Sequence, residues 1–274
     1  MSNLNLPKIQ IFTTTRCNLK CKLCSAYSPY HKNPHDLNYI VFQKDIIRLF
    51  ELVDKFERME LTGGEPLLNL YLPDMINFLR KFGNRINELR LLSNARILPS
   101  YELLEVIKKS IKSGLKFKIL IDDYGPELSL SINESEYLYK STGAEVSVRD
   151  YYSDNMHMGG WVDYGITSEL KRTREQVIQE PKCTCLFPLQ IRALFESVIY
   201  PCSRGIYYYA DIAPSNTYPI FPSCVRIHDE LKSNEQLREE LLKFWQIEYY
   251  EVCSYCTGRV QQDTRRFIPA KQFI

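Results

Sequence analysis

The sequence predicts an α/β protein in which a partial (β/α)6, TIM-like barrel precedes a small cysteine-rich domain. Between residues 8 and 150, short β-rich runs alternate with amphipathic helical stretches, which predicts a parallel sheet with right-handed crossovers. The five or six repeating units are too few for the eight of a complete TIM barrel, which leaves a partial, open barrel or an open α/β sheet. Beyond residue 180, cysteine, proline and tyrosine become frequent. We therefore expect the barrel in residues 1–180 and the second domain in residues 181–274.

Five strands are expected where short apolar runs stand between turn signals. Their ranges are 6–15, 58–62, 88–94, 115–123 and 144–150. The intervening helices carry apolar residues at helical spacing, and we expect Pro73 to open the second helix and Gly114 to close the third. The helix ranges are 39–57, 73–83, 101–113 and 132–142, with a further helix at 231–245.

Composition and charge exclude several classes of function. The 35 basic and 33 acidic residues leave a formal charge of +2, so we expect no nucleic-acid partner and no membrane surface. The sequence contains no run of about 18 apolar residues, so no transmembrane helix is predicted. The opening residues, MSNLNLPKIQ, lack the apolar core of a signal peptide, and we therefore expect a cytoplasmic protein.

Cysteine is the unusual feature of the composition. The cysteines number nine, and an odd number in a reducing compartment argues against a disulfide framework. They form an early group of three and a late group of six, which predicts two metal sites. The nine are Cys17, Cys21, Cys24, Cys183, Cys185, Cys202, Cys224, Cys253 and Cys256.

The early group has the spacing Cys17-x3-Cys21-x2-Cys24. Three thiolates on one compact loop can hold three corners of an iron–sulfur cube and leave the fourth iron open to a substrate or cofactor. Soft thiolates also suit zinc, so a structural zinc knuckle with a distant fourth ligand is the alternative. That alternative would make the protein a zinc-stabilised binding module without catalysis.

This loop resembles the signature of the radical S-adenosylmethionine enzymes. Three further stretches resemble the same family in the same order: Gly63-Gly64-Glu65-Pro66, LLSNARIL at 91–98 and ILIDDYG at 119–125. The resemblance covers roughly residues 8–150. The residue before the third cysteine is Leu23, where many members carry an aromatic side chain.

The resemblance implies a [4Fe–4S] cluster on Cys17, Cys21 and Cys24, with S-adenosylmethionine bound to its unique iron. One electron from the reduced cluster would then produce a 5′-deoxyadenosyl radical. A reducing partner such as flavodoxin or ferredoxin is implied as the electron source. The residues implied around S-adenosylmethionine are Gly63, Gly64 and Glu65 at its methionine part, Ser93 and Asn94 at the ribose, and Asp122 in the same pocket.

The late cysteines include the pair Cys253-x2-Cys256, whose spacing suits one metal site. A thioredoxin-like redox pair is the rival, but the βαβ context that it needs is lacking. The segment ESVIYPC (196–202) resembles the hairpin of SPASM and twitch domains, although Ser197 stands where those domains usually have glycine. That resemblance implies an auxiliary [4Fe–4S] cluster. Its ligands would be Cys185, Cys202, Cys253 and Cys256, with Cys183 able to replace Cys185.

This assignment leaves Cys183 and Cys224 over. A spare thiol is either an inert core residue or a donor of a hydrogen atom to a substrate radical, which would make the protein an epimerase. Without such a donor, the auxiliary cluster could accept an electron and the result would be dehydrogenation. The sequence leaves both schemes open.

The stretch 149–165 follows the fifth strand and is rich in aromatic residues and glycine. It is expected either to overlook the pocket or to form an ordinary packed loop. Its candidate substrate contacts are Asp150, Asp154, Trp161 and Asp163. Together with the neighbouring motifs, it resembles radical enzymes of carbohydrate and aminoglycoside modification. The expected substrate is thus a small sugar, nucleotide sugar or aminocyclitol, with a peptide as the alternative. A metal role for His31 and His35 is less expected than a solvated or capping one.

Overall fold

The computed structural model describes residues 3–179, 191–214, 221–257 and 266–273. Within them, a sheet of eight strands has the order β5-β4-β3-β2-β1-β6-β7-β8. The strands are β1 (Asn5–Thr14), β2 (Lys55–Gly63), β3 (Leu89–Ser93), β4 (Phe117–Asp123), β5 (Glu145–Asp150), β6 (Ile191–Phe195), β7 (Val198–Tyr200) and β8 (Val225–Arg226). Strands β1 to β5 are parallel to their neighbours, as the alternation predicts.

The helices connect these strands and cover the sheet. They are α1 (Tyr39–Leu52), α2 (Leu72–Leu79), α3 (Tyr101–Lys112), α4 (Ile132–Ser141), α5 (Arg174–Gln179), α6 (Ser203–Tyr207) and α7 (Asn234–Gln246). Side chains of Asn38, Ser100 and Ser233 accept backbone N–H bonds at the starts of α1, α3 and α7. Such bonds satisfy donors that a helix cannot pair internally.

The first helix is shorter than predicted. It ends at Leu52, and Lys55 already begins β2. Val53 and Phe56 are fully buried, so they satisfy a helical spacing by chance while lying in the loop and the next strand. Periodicity cannot separate the end of a buried helix from a buried strand that follows within two residues.

The sixth parallel strand differs from the expected (β/α)6 series. β6 pairs with β1, on the side of β1 that faces away from β2 to β5. The antiparallel strands β7 and β8 follow it and extend the sheet on that side. Five strands therefore follow one another in the barrel series. The sheet continues past the domain boundary expected at residue 180, because β6, β7 and β8 belong to the same sheet as β1 to β5.

The turn between β6 and β7 explains the serine that stands in place of glycine. Glu196 and Ser197 both have positive φ angles, 46° and 66°, as a two-residue hairpin turn requires. The buried carboxylate of Asp45 on α1 accepts bonds from Ser197 N–H at 2.9 Å and from Ser197 Oγ at 2.7 Å. A third bond joins Asp45 to His228 at 2.9 Å. These bonds offset the cost of the left-handed backbone and tie the hairpin to α1.

The alternation of β1 separates a core face from a cavity face. Ile9 and Ile11 have no exposed surface and belong to the main hydrophobic core, whereas Gln10 and Phe12 line a cavity above the sheet. Side chains of a strand alternate in this way because successive Cβ atoms point to opposite faces. Within the described residues, no helix is both long enough and apolar enough to cross a membrane.

Candidate functional site

The first cysteine group lies directly beyond the carboxyl end of β1. Cys17 is the third residue after the strand, and Cys17, Cys21 and Cys24 all line one cavity of about 370 Å³. The carboxyl ends of β2, β3 and β4 open onto the same cavity through Gly63, Ser93 and Asp122. The structure therefore brings the three predicted thiols to the edge of the sheet where α/β proteins build their sites.

Polar hydrogens face the sulfur atoms of all three cysteines. Leu19 N–H points to Cys17 Sγ at 3.5 Å, Gln272 Nε2 lies 3.2 Å from Cys21 Sγ, and backbone N–H groups of the 26–28 turn face Cys24. Burial raises the pKa of each thiol, that of Cys21 to about 12, and neighbouring sulfurs add to the rise at Cys17 and Cys21. One buried and two half-buried thiols, close enough to repel one another as thiolates, favour a bound cation that compensates their charge.

The donor set fits an iron–sulfur cluster. It consists of soft thiols only, and N–H···S bonds of this kind are the usual surroundings of cluster ligands. Across the described parts of the chain, no group of three or more His, Cys, Asp or Glu side chains is close enough to hold a single metal ion. The three thiols thus share a cavity without closing on one ion.

The two glycines of the Gly-Gly-Glu motif allow β2 to approach the cysteine loop. Gly64 N–H bonds to Thr14 O, and Glu65 N–H bonds to Arg16 O, both at 2.9 Å. A Cβ atom at Gly64 would lie 2.0 Å from Arg16 O, and one at Gly63 would lie 2.0 Å from Thr14 O. The close approach that the sequence predicts toward a ligand is therefore already required by the chain's own backbone.

Glu65 binds the protein as well as lining the cavity. Its carboxylate accepts Asn94 N–H at 2.8 Å and Leu67 N–H at 3.2 Å, and only 1% of the residue is exposed. Burial raises the pKa of Glu65 to about 7, against the effect of these backbone donors. The carboxylate joins the ends of β2 and β3, a role that its position in the motif did not predict.

Ser93, Asn94 and Asp122 also line the cavity. Asn94 Nδ2 donates to Asn18 Oδ1 at 2.8 Å and lies 3.9 Å from Cys17 Sγ, so the end of β3 contacts the cysteine loop. Asp122 is held by Arg149 through two bonds of 2.5 and 2.8 Å. A bidentate contact between a guanidinium and a carboxylate fixes the carboxylate in place and compensates its charge.

An aromatic wall lines the cavity beside the cysteines, where Tyr124 and Trp161 pack against the small apolar cluster that includes Cys21. The indole of Trp161 meets the rings of Tyr124 and Tyr151 edge to face, at 5.5 and 6.3 Å, and His157 packs on Tyr151 at 5.4 Å. These four residues and Arg149 line the cavity. Burial raises the pKa of Tyr151 to about 12, so its phenol stays protonated and can donate a hydrogen bond.

Sequence reasoning identified Trp161 but missed Tyr124, Arg149 and Tyr151 as cavity residues. The available signal was their position within two residues of the ends of β4 and β5. Of the other proposed substrate contacts, Asp150 accepts bonds from the 152–153 turn and Asp163 accepts Gly165 N–H. Neither Asp150, Asp154 nor Asp163 belongs to the described lining of the cavity.

The late cysteines lie apart from this cavity, as far as they fall within the described residues. Cys202 follows β7 and Cys224 precedes β8, so the antiparallel pairing puts both at the same end of these strands. Burial, and then the neighbouring Cys202, raise the pKa of the fully buried Cys224 well above its ordinary value. Cys253 and Cys256 bound the last turn of a short helix, 251–255. Cys183 and Cys185 lie outside the described residues.

These positions bear on the two candidate hydrogen donors. Cys224 has no exposed surface and is not part of the described cavity lining, so this conformation does not bring it to the site as a donor. The two histidines near the first group are engaged elsewhere: His31 pairs with Asp211 at 2.7 Å, and His35 pairs with Glu196 at 2.8 Å.

Comparison with known families identifies a domain within the chain. Residues 11–136 match the Radical SAM superfamily. GTP 3′,8-cyclase of Nautilia profundicola is 30% identical over 132 residues, which are 47% of this chain and 39% of that protein. A probable GTP 3′,8-cyclase of Methanococcus aeolicus is 26% identical over 154 residues, 54% of this chain and 48% of that protein. The chain thus spans less than half the length of these curated relatives.

Solved structures with the same fold extend the match over nearly the whole chain. BtrN in complex with AdoMet and 2-DOIA has a TM-score of 0.54 at 14% identity and covers 94% of both chains. Native anSMEcpe with bound AdoMet has a TM-score of 0.57 at 13% identity, covering 96% of this chain and 93% of that one. At these identities the likeness establishes the fold.

Proposed function

We propose that this chain, which carries a radical SAM superfamily domain in residues 11–136, removes a hydrogen atom from a C–H bond of a small polar substrate. The observation that carries the proposal is the shared cavity. It is lined by the three thiols of the first cysteine group, the Gly-Gly-Glu segment, the Ser93–Asn94 pair and an aromatic wall. The domain supports the class of chemistry, and the cavity supports the kind of substrate.

Cys17, Cys21 and Cys24 would hold a [4Fe–4S] cluster, and S-adenosylmethionine would bind beside it. Such a cluster, once reduced, supplies the electron that cleaves S-adenosylmethionine to a radical able to abstract hydrogen. The protein contributes a rigid mount, because Gly64 and Glu65 bond to the backbone on either side of Thr15, just before the cysteine loop. The contact of Asn94 with Asn18 holds the loop from its other side.

The aromatic wall supports a small polyhydroxylated substrate. Ring faces of Trp and Tyr bind the apolar faces of sugar-like rings, while their polar edges and the Arg149–Asp122 pair offer hydrogen bonds to hydroxyl or amino groups. We therefore favour a sugar, nucleotide sugar or aminocyclitol over a peptide.

Two outcomes are proposed after hydrogen removal. If the substrate radical passes one electron to an auxiliary [4Fe–4S] cluster and loses a proton, the net result is dehydrogenation. If it instead takes a hydrogen atom on its other face from a cysteine thiol, for which Cys183 is the proposed candidate, the result is epimerisation. The thiyl radical left behind is then restored to the thiol by one electron from the reductant and one proton. The auxiliary ligands proposed for this role are Cys185, Cys202, Cys253 and Cys256, and the proposed reductant of the first cluster is a flavodoxin or ferredoxin.

The first test measures iron and S-adenosylmethionine cleavage. Full-length protein, reconstituted anaerobically, should be brown and hold about eight irons, four in each [4Fe–4S] cluster. With a chemical reductant it should convert S-adenosylmethionine to 5′-deoxyadenosine. A variant with alanine at Cys17, Cys21 and Cys24 should retain about four irons and lose the cleavage. A colourless protein that binds only zinc would overturn the proposal.

The second test identifies the substrate class. Candidate aminocyclitols, nucleotide sugars and peptides are incubated with the loaded enzyme in deuterated water, and the products are analysed by mass spectrometry. Deuterium at one carbon indicates epimerisation, and a loss of two hydrogens indicates dehydrogenation. Turnover of peptides alone would replace the small-molecule proposal with the peptide-modifying one.

A further inference from the structure

Residues 266–273, called the strap here, lie across the loop that carries the first cysteine group. Lys22 N–H bonds to Lys271 O at 2.8 Å, and Phe273 N–H bonds to Lys20 O at 2.9 Å. Cys21 and Gln272 thus face each other across an antiparallel bridge. The strap extends the cysteine loop by backbone pairing, although more than 240 residues separate the two along the chain.

The strap also covers part of the cysteine loop. Ala270 is fully buried and forms a separate small apolar cluster with Leu19 and Cys21, which are 4% and 6% exposed. The ring of Phe273 packs against Tyr30 at 5.3 Å. One face of the cysteine loop is therefore covered by residues from the other end of the sequence.

At its other end, the strap holds the aromatic wall. Trp161 and Phe267 exchange two backbone hydrogen bonds, each of 2.9 Å. The strap consequently contacts both the cysteine loop and the segment that carries the indole. One short segment sets the positions of the two sides of the cavity relative to each other.

The side chain of Gln272 adds a directed contact to Cys21. Its Oε1 accepts Lys20 N–H at 2.6 Å, and its Nε2 lies 3.2 Å from Cys21 Sγ. A backbone N–H can only donate, so the amide oxygen must face Lys20 and the NH2 group must face the sulfur. Nε2 also donates to Ala270 O, so the orientation of the amide is fixed by Lys20 of the cysteine loop and by Ala270 of the strap.

We propose that Gln272 is a positioning residue of the cluster site, which donates a hydrogen bond to the Cys21 ligand and raises the reduction potential of the cluster. This inference rests on the proposed function. Reduction adds negative charge to the cluster, part of which resides on its cysteine sulfurs. An N–H···S bond stabilises the reduced state more than the oxidised one. Loss of the donor should therefore make the cluster harder to reduce.

The test is a redox titration of the anaerobically reconstituted full chain, followed by the electron paramagnetic resonance signal that changes when S-adenosylmethionine is added. Gln272→Glu keeps the shape and the acceptor for Lys20 N–H but removes the donor to Cys21 Sγ and to Ala270 O. Lys271→Gln is the matched control, because it makes the same change of one charge at an exposed neighbour. Gln272→Glu should lower the ratio of reduced to oxidised cluster up to tenfold at a fixed potential, a fall of up to about 59 mV.

Lys271→Gln should leave the potential unchanged. Equal potentials for Gln272→Glu and the wild-type chain, at normal iron content, would overturn the role of Gln272. An equal fall in both variants would attribute the effect to charge alone and would also overturn it.

A second measurement separates this inference from the proposed function. In iron-free protein, the rate of Cys21 alkylation is followed by peptide mass spectrometry. Ala270→Asp places a charge in the small apolar cluster that Ala270 forms with Leu19 and Cys21, and should therefore displace the strap. The rate of Cys21 alkylation should then rise at least tenfold. The buried Cys224 serves as the internal reference. An unchanged rate would show that the strap does not cover the loop. Failure of the wild-type chain to take up iron would instead refute the proposed function.

Discussion

The carboxylate of Glu65 accepts the backbone N–H of Asn94 at 2.8 Å and so joins the end of β2 to the end of β3. The neighbouring backbone of Gly64 bonds to β1, and the side chain of Asn94 contacts the cysteine loop. Three strand ends and the cysteine loop are thus connected around the buried side chain of Glu65. The ionisation of Glu65 should therefore affect the free energy of unfolding of the protein.

The stability that Glu65 contributes should decrease with rising pH. Burial raises the pKa of its folded state from the ordinary 4.5 to about 7, so the folded protein retains a proton that the unfolded chain releases. The free energy of unfolding should therefore fall between about pH 4.5 and 7. Glu65→Gln removes this titration, so the stability advantage of the wild-type protein over the variant should shrink across that range.

This comparison is made by urea unfolding at intervals from pH 5 to 8. Glu127→Gln, at an exposed position, is the control and should follow the wild-type pH dependence. If the stability advantage of the wild-type protein over Glu65→Gln grew with rising pH, the result would contradict a raised pKa of Glu65.

Gly64→Ala should disrupt the cysteine loop. The new Cβ atom would lie 2.0 Å from Arg16 O, so either β2 or the loop must move. We expect the reconstituted variant to lose most of the four irons of the first cluster, or to be insoluble. Gly83→Ala is the matched control, because its Cβ would meet only the Leu115 side chain at 3.9 Å. Full iron content in Gly64→Ala would show that the close approach is not needed.

Arg149 and Asp122 should be energetically coupled. Their double contact is mostly buried, with side-chain exposures of 25% and 16%. Arg149→Met leaves Asp122 without its cation and should cost about 3 kcal/mol of stability, the lower end for broken buried pairs. Asp122→Asn in the same chain should restore part of the loss, giving a coupling of about 1–3 kcal/mol in a double-mutant cycle of urea unfolding. Additive effects would contradict a direct pair.

Ser197 should tolerate glycine better than alanine. Ser197→Ala removes the Oγ bond to Asp45 but keeps the positive φ, so it should destabilise the protein by about 1–2 kcal/mol. Ser197→Gly also loses that bond but relieves the backbone strain, which offsets much of the cost. The midpoints of urea unfolding compare the two variants directly. A glycine variant weaker than the alanine variant would contradict this account.

The predicted strands and helices agree well with the structure where the pattern is local. Strand β4 and helix α3 lie within one or two residues of their predicted bounds, because apolar spacing and a glycine signal define them. Helix α1 was predicted too long, since two buried apolar residues of the following loop and strand continue its spacing. The place of β6 beside β1 depends on pairing between distant segments, which periodicity does not encode.

The same division holds for the candidate site. Cys17, Cys21 and Cys24 follow from spacing alone, because three thiols within eight residues can share one cluster whatever surrounds them. The contact of Gln272 with Cys21 links positions 251 residues apart and could not be read from spacing. Nor could the engagement of Glu65 by two backbone donors, since its motif indicates only a position at a strand end.

By itself, the sequence determined the local elements and indicated the residues that present sulfur, because each depends on neighbours within a few positions along the chain. Only the tertiary structure decided which carboxylates are already paired, which cysteines reach the cavity in this conformation and what covers the cysteine loop. Those outcomes depend on which distant segments pack together. Packing brings groups within hydrogen-bond distance regardless of their separation in sequence.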